Sequence, residues 1–260
     1  MKQLPEHFSH HYPTLIRRWR EVARDSGLRM KAFAEHDGFP LFVLQTRRPS
    51  PDAPSVYLSA GIHGDEPAGP EGVLAWARKH TRTLQHLSVT IFPCLNPWGL
   101  SRNIRTDQSG VDLNRQFHEV GVGYFRALHQ LIDGRHFDLA VALHEDYDGQ
   151  GLYIYELDSA PTPHAPQLLA AARHILPADP RRTIDGRRFT KPGYLHRNVA
   201  RRKLPDGPET IFLARRKAGI CLTVETPSEF SLDRRIRAHR VILQAAVELV
   251  LRQHQERKNT

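Results

Sequence analysis

Cysteine is nearly absent from this sequence. Cys94 and Cys221 are the only two in 260 residues, and each lies within an apolar run. That excludes the disulfide framework on which small secreted folds depend. Long hydrophobic runs are missing too: no stretch approaches the roughly 20 apolar residues that cross a bilayer. The opening residues, Met1 to Glu6, lack the apolar segment of a secretion signal. There is no internal repeat and no low-complexity tract. The expectation from these absences is a cytoplasmic protein with no membrane partner. Its apolar residues, 40% of the chain, suffice for a packed core.

Acids are outnumbered, and the net charge is +9. The excess is concentrated. Between Arg181 and Lys217 stand twelve Lys and Arg against three acids, a surplus as large as that of the whole chain. Such a block could face nucleic acid, a membrane or a small acidic molecule, or be a solvated loop face. Only Phe189, Tyr194 and Phe212 interleave with it, few for base stacking, so nucleic acid is not the expected partner.

Periodicity supplies the outline of a fold. Leu15, Ile16, Trp19, Val22 and Ala23 give helical spacing over Pro13 to Ser26. Leu28–Ala34 and Phe39–Leu44 read as strands around Asp37-Gly38, a hairpin signal. Short apolar strands follow at Val56–Leu58, Leu87–Leu95, Phe137–Leu143, Leu152–Leu157 and Ile220–Val224. Helices are expected at Glu71–His80, Gly123–Ile132, Ala165–Leu176 and Leu232–Arg252, and turns at Asn96-Pro97-Trp98-Gly99 and across Arg48–Pro54. The basic stretch up to Lys217 reads as irregular. Alternating strands and helices predict an α/β fold, a mixed and mostly parallel sheet with helices on both faces. One domain over 1–260 is expected, with residues 1–54 a helix-and-hairpin extension.

Ligands of such sheets sit beyond the carboxyl ends of the strands. Gly61-Ile62-His63-Gly64-Asp65-Glu66 follows the Val56 strand, and of sixteen histidines only His63 has a carboxylate three residues on. Imidazole and carboxylate suit a divalent zinc, although a solvated turn pair would show the same spacing. His144 and Glu225 also lie just past strand ends. His144 could be a third ligand or a surface histidine. Glu225 could be a general base or an ion-pair partner; the next helix starts only after Pro227, so a capping role fits it poorly. Arg105 and Arg115 flank a polar loop. A guanidinium fork there could stabilise an oxyanion or hold a carboxylate, with Asn114 adding a donor, or it could simply be solvated.

Five blocks in order carry a resemblance: Gly61 to Glu66, Asn96 to Gly99, Arg105 to Phe117 with its Gly110-Val111-Asp112-Leu113-Asn114-Arg115, Leu143-His144, and Thr223-Val224-Glu225. Together they resemble the zinc metallocarboxypeptidases. The resemblance implies an α/β/α sandwich around a mixed sheet and one zinc ion bound by His63, Glu66 and His144. It implies Glu225 as general base and then acid, and Arg105 at the developing oxyanion. It gives Asn114 and Arg115 as the clamp on a substrate carboxylate. The substrate would be a small peptide, a muropeptide or an acyl amino acid bearing that carboxylate. Small cytoplasmic members that cut muropeptides are one branch; aspartoacylase and succinylglutamate desuccinylase are deacylase relatives. A carboxypeptidase-like binding domain without activity is the remaining reading. Two features depart from the pattern. Gln116 stands where the family usually has Asn, and Glu66 and His144 are only 78 residues apart. Tyr194 lies in the region of the family's substrate-closing tyrosine, with no motif to anchor it.

Overall fold

We describe residues 9–119, 123–158, 162–198, 207–216 and 218–259 of a computed structural model. Helix α1 (Tyr12–Ser26) leads into β1 (Arg29–His36) and β2 (Phe39–Gln45). Then come β3 (Ser55–Ala60), α2 (Ala68–Lys79), α3 (Thr81–Leu84), β4 (Ser88–Phe92), α4 (Pro97–Leu100), α5 (Phe125–Ile132) and β5 (Phe137–Asp146). The remainder is β6 (Tyr153–Asp158), α6 (Ala165–Ala172), β7 (Thr183–Ile184), β8 (Arg187–Arg188), β9 (Tyr194–Asn198), α7 (Glu209–Arg216), β10 (Ala218–Pro227) and α8 (Leu232–Lys258).

Eight strands form one sheet in the order β1-β2-β4-β3-β5-β10-β6-β9. Its centre, β4-β3-β5-β10, is parallel, while β2 and β6 join antiparallel on either side. The mixed, mostly parallel sheet expected from the alternation is therefore present. Residues 29–45 are built into it: the β1–β2 hairpin turns at Asp37 and Gly38, both at positive φ, and β2 continues the ladder onto β4.

Strand alternation divides the core in two. Val56, Leu58 and Ala60 face one side, with Leu139, Val141, Leu222 and Val224 and apolar residues of α1, α2, α6 and α8. Tyr57, Ala140 and Cys221 face the other, with Phe117, Phe125 and Phe212. The same alternation puts Thr223 and Glu225 on the Cys221 side. Both cysteines are buried and unpaired.

Several expectations need correction. The Asn96 turn is the start of a helical turn, α4, where the Asn96 side chain accepts a hydrogen bond from the Gly99 amide at 2.8 Å. Helix α6 stops at Ala172, four residues early. The basic stretch is not irregular: it holds β7, β8, β9 and α7. Strands of two residues give no readable alternation, and β9 at the sheet edge has only its first two residues buried, so hydrophobic pattern was absent there. Residues 199–206 and Lys217 of that stretch lie outside the described residues, as do Met1 to Glu6. No helix among the described residues is long and apolar enough to cross a membrane.

Candidate metal centre

β3 ends at Ala60, and the chain must then bend sharply to begin α2. Gly61 has φ +62°, and a Cβ there would lie 2.9 Å from Pro70 and 3.0 Å from Cys94 Sγ. Gly64 is tighter: a Cβ would lie 2.1 Å from the Gly99 carbonyl carbon and 2.4 Å from the Ile104 oxygen. The turn is locked from outside. Gly64 N–H donates to the Arg105 carbonyl at 3.3 Å, and the buried Asn96 amide donates to the Thr106 carbonyl at 3.0 Å. The polar loop that carries Arg105 is thus laced to the turn that carries His63. Gly64→Ala should therefore displace backbone rather than a flexible side chain. We expect it to cost about 3 kcal/mol and to abolish metal loading. Thermal melting and zinc content measure this; an unchanged melt and an unchanged zinc content would contradict it.

His63, Glu66 and His144 converge, with one ligand atom from each lying within 4.8 Å of the others, all buried. His63 Nδ1 is 2.6 Å from Glu66 Oε1, and His144 Nδ1 is 2.9 Å from Glu66 Oε2. The two Nδ1 atoms face each other at 3.3 Å. Two imidazole nitrogens and a carboxylate pointed at one spot are a donor set that fits zinc, and a shared cation explains why two ring nitrogens meet. Burial pushes the Glu66 carboxyl up, and the two imidazoles outweigh that and hold it below its usual range.

Supports stand behind two of the three. Asp112 Oδ1 lies 3.2 Å from His63 Nε2, which leaves Nδ1 free to face the cluster. Asp112 also accepts from Arg105 Nε and Nη2 at 3.3 and 3.2 Å. Against the upward push of burial, His63 and Arg105 hold the Asp112 carboxyl well below the usual carboxylate range. Glu145 accepts the Ala68 N–H at the start of α2 at 2.6 Å and pairs with Arg235 of α8. A carboxylate at that helix end fixes the residues just after Glu66. Neither role was assigned from sequence, although Asp112 sits inside the Gly110–Arg115 block and Glu145 is next to His144.

Glu225 stands beside His144 in the β10–β5 register and lines the same cleft of about 630 Å³ as the three ligands. Burial pushes its carboxyl up to about 8; His144 opposes this, while Glu66 and Asp146 add to it. Arg105 lines the cleft half exposed, with Nη1 3.3 Å from Glu66. Asn114 and Arg115 line it as well. The Asn114 carbonyl accepts the Glu209 N–H of α7 at 3.1 Å, so the amide NH₂ is the end left for the cleft. The structure thus brings together all seven residues singled out from the sequence. Tyr194 is a correction: it is buried in the core under α6, and the tyrosines lining the cleft are Tyr153 and Tyr155. Tyr153 is pinned by its hydroxyl to Asp146 at 3.0 Å, and Asp146 in turn pairs with Arg181 at 2.8 Å.

An α/β sheet thus carries a His–Glu–His cluster at the carboxyl ends of its parallel strands. Comparison with known proteins finds the same fold elsewhere. Residues 52–178 match the family described as the succinylglutamate desuccinylase/aspartoacylase catalytic domain. A candidate metallopeptidase from Shewanella denitrificans superposes with a TM-score of 0.82 at 23% identity, over 93% of this chain and 91% of that one. A metallo-carboxypeptidase from Burkholderia cenocepacia gives 0.65 at 15%, over 91% and 68%. A metallo-carboxypeptidase from Pseudomonas aeruginosa, solved with (2-guanidinoethylmercapto)succinic acid, gives 0.61 at 18%, over 90% and 68%. No curated protein matches the sequence. The chain has the metallocarboxypeptidase fold, and the resemblance seen in its five sequence blocks holds.

Proposed function

We propose that this protein is a zinc-dependent hydrolase that cuts an amide bond next to a free carboxylate in a short peptide or an acyl amino acid. The observation that carries this reading is the convergence of two Nδ1 atoms and one carboxylate in a cleft that also holds Glu225. Zinc held by His63, Glu66 and His144 would polarise the scissile carbonyl and acidify water. Glu225 takes the proton as the nucleophile attacks and returns it to the departing amine. Arg105, beside the cluster, offers its guanidinium to the oxygen as charge develops on it. Asn114 and Arg115 receive the substrate carboxylate, with the amide aimed by α7.

The family match favours a second version of the same chemistry, removal of an acyl group from an amino acid. Bond and machinery are shared; the leaving groups differ. The test is a panel of dipeptides, muropeptides and N-acyl amino acids, with the zinc-loaded and the chelated protein side by side. Zinc-dependent turnover of one class is expected, and which class is turned over separates peptidase from deacylase. No turnover of any class by the zinc-loaded protein would favour a carboxypeptidase-like binding domain.

A further inference from the structure

The turn of the β1–β2 hairpin gathers three ligand-type side chains that the triad does not use. His36 closes β1, Asp37 begins the turn, and Asp107 lies in the polar loop between Arg105 and Asp112. One donor atom of each lies within 4.8 Å of the others. The surroundings fix all three. Asp37 Oδ2 accepts the Gln108 N–H at 2.9 Å, and Asp107 Oδ1 accepts those of Ser109 and Val111 at 2.9 and 2.8 Å. The Tyr124 ring stands edge-on to the His36 imidazole, with centroids 5.1 Å apart.

His36 Nε2 is 3.5 Å from Asp37 Oδ2 and 3.4 Å from Asp107 Oδ2. It is shielded from solvent, and among the described residues it hydrogen-bonds to neither oxygen and to nothing else. A protonated imidazole paired with a carboxylate closes to about 2.7–2.9 Å. His164 and His196 do so elsewhere in the fold, each at 2.8 Å, against Glu156 and Asp158. There the charges satisfy one another. At His36 the nitrogen stands between two carboxylate oxygens and reaches neither. Donors about 2.0–2.1 Å from one first-row cation are themselves roughly 3–3.4 Å apart, whether the ion is octahedral or tetrahedral. The spacing at His36 is therefore close to that of ligands around a shared ion. Among the described residues neither carboxylate has a Lys or Arg partner, so a cation would neutralise both. Side-chain exposures of 16%, 14% and 7% for His36, Asp37 and Asp107 leave a way in from solvent.

We propose that His36, Asp37 and Asp107 form a second divalent-cation site, separate from the triad. Its ion clips the hairpin turn to the loop that leads to Asp112, Asn114 and Arg115. One imidazole and two carboxylates, with water completing the shell, suit manganese or zinc. The site has one imidazole where the triad has two, and it opens to solvent. Its ion is therefore the weaker bound and is removed by dialysis.

The experiment titrates manganese(II) into the zinc-loaded full chain and follows free and bound ion by electron paramagnetic resonance. Zinc outranks manganese for nitrogen and oxygen ligands, so the triad keeps its zinc and only the second site reports. One equivalent of manganese should bind below about 1 mM, the weak end of natural cation sites. Its spin-echo spectrum should carry the modulation of one directly bound imidazole nitrogen. His36→Gln should remove that modulation. Like Asp37→Asn and Asp107→Asn, it should weaken binding at least about tenfold while triad zinc stays unchanged. Asparagine keeps an oxygen for the backbone N–H groups and tolerates the φ of +50° at Asp37, so these two variants keep the fold and carry the test if His36→Gln does not. Melting without manganese checks this. No bound manganese in that range, bound manganese without imidazole nitrogen, release of triad zinc in exchange for it, or equal binding by both asparagine variants overturns the proposal. Because binding alone is measured, the result is independent of whether the protein is a hydrolase.

Discussion

Glu225→Gln is expected to lower kcat about 10²- to 10⁴-fold with zinc content unchanged. The amide has the shape of the carboxylate and keeps a carbonyl oxygen, but it cannot accept a proton and pass it on. Glu225 lies next to His144 across the β10–β5 ladder and outside the three-residue donor cluster, so the ligands should stay in place. The same substitution has an opposite effect on stability. Burial raises the Glu225 carboxyl from 4.5 to about 8, with Glu66 and Asp146 adding and His144 opposing. A carboxyl whose folded value is raised costs stability as pH climbs from 4.5, and the cost is complete above about 8. A neutral amide avoids that cost. Metal-free Glu225→Gln should therefore melt above metal-free wild type at pH 8, and the two should converge near pH 4.5. Zinc in the triad would draw the carboxyl down, so the gap should narrow in the loaded proteins. A variant that lost kcat and zinc together would make Glu225 part of the binding site rather than the proton carrier. One that retained full kcat would remove it from the chemistry.

That pairing of lost rate and gained stability is typical of a residue held in place for function. Features of this kind were the most legible part of the sequence. His63 and Glu66 are readable because the glycines around them have one structural explanation, a turn too tight for side chains, which the 2.1 Å approach at Gly64 bears out. His144 and Glu225 are readable because apolar runs ending in a polar residue mark strand ends, and parallel strands gather their ends on one edge. Tertiary partners were harder to read. Asp112 acts on a residue 49 positions earlier, and Glu145 on the start of a helix 77 positions earlier. Neither separation leaves a local pattern. The β7–β8 hairpin and β9 escaped for a different reason. They are short, β7–β8 stand apart from the main sheet and β9 lies at its edge, so the burial that would write alternation into a sequence is largely missing there. Tyr194 misled because its position in the chain matched a role while its place in the sheet puts it in the core.

Removing the metal should change stability in a way that depends on pH, and the sign follows from the imidazoles. Burial alone would push His63 down, but Glu66 beside it, together with Asp112, outweighs burial and raises it from 6.5 to about 9 in the metal-free protein; His144 is raised as well, by Glu66 against burial. A raised imidazole contributes stability that is fully present below 6.5 and is lost as pH rises through about 9. Metal-free protein should therefore weaken between pH 6.5 and 9, as the buried Glu66 loses its cationic neighbours. Zinc needs those imidazoles neutral, so its affinity rises over the same interval. The two trends add: the melting difference between loaded and chelated protein should be small at pH 6 and large at pH 9. With free zinc at 100 times its dissociation constant, binding stabilises by about 2.7 kcal/mol, which for a chain of this size is roughly 5–11 °C. His144→Ala should abolish the difference at every pH and reduce bound zinc from one equivalent to none. Melting curves and metal analysis across the pH series decide the matter. A melting difference that shrank as pH rose, or zinc retained in His144→Ala, would mean that the cation is held elsewhere and that the imidazoles meeting at 3.3 Å are a structural pair.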